Sequence, residues 1–163
     1  MKKLFIILSA VTLGVVLLLT SIFFGFLYFQ QESVIASLPD YESREFYTND
    51  GFQDYTDYAK YIYDNITIQD LESSEYFTIT TADDVVDILL YIDDFEGCVE
   101  VCDGELYENY DFDKTIITVG DYFYIDTKEG EPIGQRTYRK FEYYDVYYFD
   151  VDAQILYYFH NNI

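Results

Sequence analysis

What the sequence has little of narrows its function before any motif is sought. Tryptophan is absent, histidine and methionine occur once each, and proline and cysteine twice each in 163 residues. Positive charge is scarce, with nine Lys and Arg against 31 Asp and Glu, for a net charge of −22. A surface of that sign repels phosphate, which argues against Coulomb-driven binding to DNA, RNA or anionic lipid head groups. No Gly/Ser/Pro-rich linker divides the chain and no repeat of fixed period runs through it, so the part after residue 31 fits one compact domain. The Gly-rich phosphate loop, the metalloprotease helix and the nucleophile elbow are all missing.

The two cysteines, Cys98 and Cys102, lie four residues apart with no histidine nearby, which is not a zinc spacing. Outside a cell their default state is a structural disulfide. In a straight strand their Cα atoms would be about 13 Å apart, beyond the ~7 Å that a bond tolerates. A bridge therefore requires a tight loop between the flanking Gly97 and Gly104. Free thiols, a metal or a redox-active dithiol are the alternatives.

One long apolar run is present. Leu4–Phe29 contains no charged side chain and follows Lys2 and Lys3. As a helix it would reach roughly 39 Å, more than the about 30 Å of a hydrocarbon core. A cleaved secretory signal is the competing reading, with Val34 and Ala36 at the cleavage positions, but signal h-regions hold only about 7–15 residues. The expectation is an uncleaved signal-anchor, single-pass in the cell membrane, with its lysines inside and the C-terminal domain outside. Ala10, Gly14, Ser21 and Gly25 fall on one stripe of that helix, at a spacing that lets membrane helices pair, so a homodimer through the anchor is a further expectation.

All 31 acidic residues and seven of the nine basic ones follow residue 31, so that part carries −24. It also holds 19 of the 20 tyrosines, which argues against disorder and for pleated, half-buried structure. The expected division is a tip at 1–3, the spanning helix at 4–29, a stalk at 30–48 and an α+β domain at 49–163. Within the domain, Tyr55, Tyr58, Ala59 and Ile62 recur at helical spacing and predict a helix over Phe52–Asn65. Residues 75–80 read as a short strand. Thr81 with Asp84 forms a capping-box pattern ahead of Val85, Ile88, Leu89, Ile92 and Phe95, with Gly97 as the stop. Thr115–Val119 and Tyr122–Asp126 predict a hairpin around Gly120-Asp121. Tyr138–Asp150 and Ile155–His160 predict a second one. The predicted fold is an antiparallel β-meander covered on one face by two helices, in an α+β extracytoplasmic domain.

Three sets of residues could carry chemistry. If the last hairpin closes around Asp152-Ala153, Asp145 lies opposite His160, a polar pair able to orient an imidazole for base catalysis or to respond to pH. The acidic cluster Asp93, Asp94, Glu96, Glu100, Asp103 and Glu105 offers oxygen ligands at a helix C-terminus, where calcium would offset unfavourable dipole charges. Tyr143, Tyr144, Tyr147, Tyr148, Tyr157 and Tyr158 put aromatics on both faces of the hairpin, one of which could be an exposed platform. Set against these are a cross-strand polar contact, a solvated acidic face and tyrosines filling half-exposed sheet positions. The functional expectation is a non-enzymatic, membrane-anchored module presenting this acidic, tyrosine-rich domain to a basic protein, peptide or envelope polymer. A small envelope hydrolase using paired carboxylates and a calcium-binding surface protein are the alternatives.

Overall fold

The computed structural model describes residues 14, 20, 33–49, 55–127 and 143–162. The chain divides into two compact units, Met1–Leu38 and Pro39–Ile163. In the first, residues 33–36 form a helical turn, closed where Ser37 Oγ donates to the Val34 carbonyl at 2.7 Å.

The second unit is built on an antiparallel six-stranded sheet. Its strands are β1 (Ser43–Asn49), β2 (Tyr55–Ile62), β3 (Thr78–Ile79), β4 (Tyr122–Asp126), β5 (Tyr143–Asp150) and β6 (Ile155–Asn162). Their order across the sheet is β1-β2-β6-β5-β4-β3. Between them lie α1 (Ile68–Ser73), α2 (Ala82–Val99), α3 (Glu105–Asn109) and a 3₁₀ turn at Lys114–Ile116. The helix α2 packs on β6 and β2, and α3 lies against β1. Ile88, Tyr91, Ile92 and Phe95 of α2 meet Tyr58, Tyr144, Val146, Tyr148 and Phe159 of the sheet in one buried cluster.

The start of α2 follows from local chemistry. Thr81 accepts from the Asp84 backbone N–H, while the Asp84 carboxylate accepts from the Thr81 N–H at 2.8 Å. Each side chain satisfies a backbone donor that the helix leaves unpaired. Thr81→Ala is expected to lower stability by about 1 kcal/mol, read as a shift of the urea midpoint. The helix does not stop at Gly97 but runs on to Val99.

Several expectations are corrected. Among the described residues no helix is long and apolar enough to cross a membrane. The longest of them, α2, carries Asp83, Asp84, Asp87, Asp93, Asp94 and Glu96. The run Leu4–Phe29 lies outside the described residues apart from Gly14 and Thr20, so the expected single-pass membrane helix is not part of the fold described. What stands is a six-stranded antiparallel sheet with a few helices.

The sheet is not a simple meander, because β2 pairs with β6 and so joins the N-terminal hairpin to the C-terminal one. The helix predicted over Phe52–Asn65 is strand β2. Both of its faces are covered, so Tyr58 and Ala59 are adjacent and each 0 % exposed, which hides the alternation of a strand. The segment expected as a stalk supplies β1. Thr115–Val119 is not a strand, and β4 pairs with β3 and β5 instead. Its Gly120-Asp121 turn serves another purpose. Gly120 takes φ +104°, and the Asp121 carboxylate accepts from Tyr148 Oη, from Thr118 Oγ1 at 2.8 Å and from the Val151 N–H at 3.1 Å.

Candidate functional site

The β5–β6 turn sets the register of a polar constellation. Asp150 Oδ1 accepts from the Ala153 N–H at 2.8 Å, and Gln154 closes the turn with φ 58°. That turn fixes a register in which Asp145 faces His160. His160 Nδ1 lies 2.7 Å from Asp145 Oδ1. The same carboxylate accepts from Tyr158 Oη and from Tyr143 Oη, each at 2.7 Å. Asp57 of β2 stands opposite His160 on its other side, and Asp126 of β4 stands opposite Asp145. A row of Asp57, His160, Asp145 and Asp126 therefore crosses four strands on the sheet face away from α2.

Rings enclose this row. Tyr55 stacks on the imidazole with centroids 4.6 Å apart, and Tyr143 meets it edge-on at 5.3 Å. The His160 side chain is 5 % exposed, and its buried Nε2 has no hydrogen-bond partner. Burial alone would raise the Asp145 pKa, but the bonds from His160, Tyr143 and Tyr158 outweigh it and hold the carboxyl below the usual range. Burial and the neighbouring Asp145 carboxylate raise the Tyr143 and Tyr158 hydroxyls, so both remain donors. An aspartate-oriented imidazole is the geometry of a general base, yet no described nucleophile is bonded to Nε2.

In the acidic cluster, Lys114 Nζ sits 2.6 Å from Asp93 Oδ1 and 2.8 Å from Glu96 Oε2. Asp94 accepts from Tyr144 Oη at 3.1 Å. Among the described residues no group of three or more His, Cys, Asp or Glu is arranged to hold a metal ion, the set Asp93, Asp94, Glu96, Glu100, Asp103 and Glu105 included.

Cys98 and Cys102 are both buried and are not joined by a disulfide. They lie in and just past the last turn of α2, where Cys102 Sγ donates to the Cys98 carbonyl at 3.1 Å and accepts from Asn49 Nδ2 at 2.9 Å. Both contacts of that sulfur point it at groups other than its expected partner. Burial raises the Cys102 thiol pKa further, against the lowering effect of Asn49. The expected aromatic platform is also absent. Tyr144, Tyr147, Tyr148 and Tyr158 are each at most 2 % exposed, and Tyr143 and Tyr157 are half-buried, because both faces of the hairpin are covered. The membrane-helix stripe of Ala10, Gly14, Ser21 and Gly25 lies outside the described residues except for Gly14.

Features without a local sequence signal complete the picture. Lys60 Nζ is held at 2.6 Å from Glu45 and 2.8 Å from Asp111. Burial lowers the Asp111 acidity, but hydrogen bonds from Lys60 and Tyr58 reverse this and leave its pKa depressed. The Arg44 guanidinium lies over the Phe46 ring at 4.5 Å and the Tyr61 ring at 5.2 Å. Arg44, Lys60 and Lys114 are the only Lys or Arg among the described residues, and all three are engaged. A cleft of ≈ 240 Å³ opens between residues 39–42 and 63–66. The Lys60 ion pairs and the Arg44–Tyr61 contact could not be placed from sequence spacing alone, because each joins segments that only the fold brings side by side. Compared with protein families, curated proteins and solved structures, the chain matches none of them.

Proposed function

We propose that the Pro39–Ile163 unit is a non-enzymatic interaction module that binds a basic protein, peptide or polymer. One observation carries this reading: the described cations are each held within the fold. Lys60 and Lys114 are each shared by two carboxylates, and Arg44 is laid over two rings. None of the three reaches exposed carboxylates such as Asp64, Glu75, Glu100 and Asp103. The field of the described surface is therefore negative and attracts a cationic surface. The Asp145–His160 nest fits this reading as a buried fastening of the sheet, since three donors occupy its carboxylate.

Titrating the full-length chain with fluorescein-labelled oligolysine, read by anisotropy, tests the proposal. Binding is expected to tighten at low salt and to weaken at least tenfold between about 50 and 500 mM NaCl as the Debye length shrinks. Oligoglutamate of the same length is expected not to bind. No oligolysine binding at low salt, or binding indifferent to salt, overturns the reading.

A further inference from the structure

The geometry points to the cleft between residues 39–42 and 63–66 as the place where one long cationic side chain of a basic polypeptide docks. This placement rests on the reading of the unit as a binder of basic partners, and names where on it the recognition occurs. The cleft measures ≈ 240 Å³. That is below the ~300–1,000 Å³ of sites for drug-sized ligands, and is on the scale of a single side chain.

Its lining matches the two ends of lysine or arginine. Buried Tyr63 and Ile66 supply an apolar floor for an alkyl stem, and Tyr41, 40 % exposed, supplies an aromatic wall. The exposed carboxylates Asp40, Glu42 and Asp64 stand along it, and no Lys or Arg lines it. The Tyr41 ring meets Tyr61 at 5.1 Å, and Tyr61 already carries the Arg44 guanidinium. The same aromatic patch thus takes a cation of its own chain beside the cleft, as a ring quadrupole favours.

The walls are held in place before anything binds. The Glu42 N–H donates to the Ile62 carbonyl at 2.7 Å and the Tyr63 N–H to the Gln154 carbonyl at 2.9 Å. Gln154 Oε1 accepts from the Ile66 N–H at 2.9 Å, so one residue of the β5–β6 turn pins both ends of the 63–66 wall. A preformed cleft avoids the ordering cost that weakens mobile sites.

The test uses oligolysine and the full-length chain at about 50 mM NaCl. Tyr41→Ala is expected to raise Kd about fivefold, and Asp40→Asn/Glu42→Gln/Asp64→Asn at least tenfold. A second triple variant, Glu75→Gln/Glu100→Gln/Asp103→Asn, removes the same charge from exposed positions elsewhere and is expected to raise Kd less than threefold. Equal losses from the two triple variants, with Tyr41→Ala within twofold of the parent, overturn the cleft while leaving a diffuse acidic surface as the binder. Absence of oligolysine binding to the parent chain overturns the functional reading and the cleft together.

Discussion

Asp145→Ala is expected to destabilise the fold by about 3 kcal/mol or more, since each buried donor left unpaired costs about 1–3 kcal/mol. Three donors converge on that carboxylate, from His160 Nδ1, Tyr158 Oη and Tyr143 Oη, all at 2.7 Å. Removing it leaves them facing one another in a site with little water. Urea unfolding followed by circular dichroism measures the change, with a fall in midpoint at unchanged slope as the expected form. A loss below about 1 kcal/mol would show that the three donors find other partners. The pH dependence follows from the same contacts. The folded Asp145 carboxyl is more acidic than an unfolded one, because the bonds from His160, Tyr143 and Tyr158 overcome the effect of burial. Its contribution is therefore fully present above the unfolded pKa of about 3.9 and is lost as pH falls through the folded value. The gap between parent and Asp145→Ala should stay wide at neutral pH and close in acid below about pH 4. A gap that does not narrow there would separate the contribution from ionisation of Asp145.

Phe159→Ala is the comparable test of the opposite face of β6. Phe159 is 0 % exposed and touches Phe112 at 4.9 Å, Phe95 at 5.3 Å and Tyr58 at 5.5 Å between ring centroids. Deleting a buried phenyl typically costs about 3–5 kcal/mol, part transfer and part cavity. Against total stabilities of about 5–15 kcal/mol, that brings the variant near the limit of folding. Thermal melting with near-ultraviolet dichroism measures it, and Phe159→Leu should recover more than half of the loss. A variant that melts within a few degrees of the parent would show that α2 does not rest on this ring.

Where the sequence could be read correctly, the cause was local. Thr81 and Asp84 are three residues apart, so the capping box that starts α2 needs nothing from elsewhere in the chain. Ile88, Ile92 and Phe95 repeat at helical spacing because only one side of α2 meets the sheet. The Asp145–His160 alignment was legible for a related reason, since a short turn dictates which residues of two consecutive strands face each other. Strand β2 failed for the opposite reason. Both its faces are covered, so alternation vanished and Tyr55, Tyr58, Ala59 and Ile62 imitated a helix. The tyrosines of the last hairpin showed their number and position but not that both faces would be buried.

By itself, then, the sequence determined the acidic character of the chain, the long helix with its cap, and the pairing within the last hairpin. Composition, capping and short turns act over a few residues and do not depend on the rest of the fold. Only the tertiary structure decided that β2 lies beside β6, which sets Asp57 opposite His160 and makes a row of what had been a pair. It also decided that Lys114 reaches Asp93 and Glu96, and that Gln154 pins residues 63–66 into one wall of a cleft. Each of these contacts joins segments tens of residues apart, and their meeting depends on the whole sheet closing in one order.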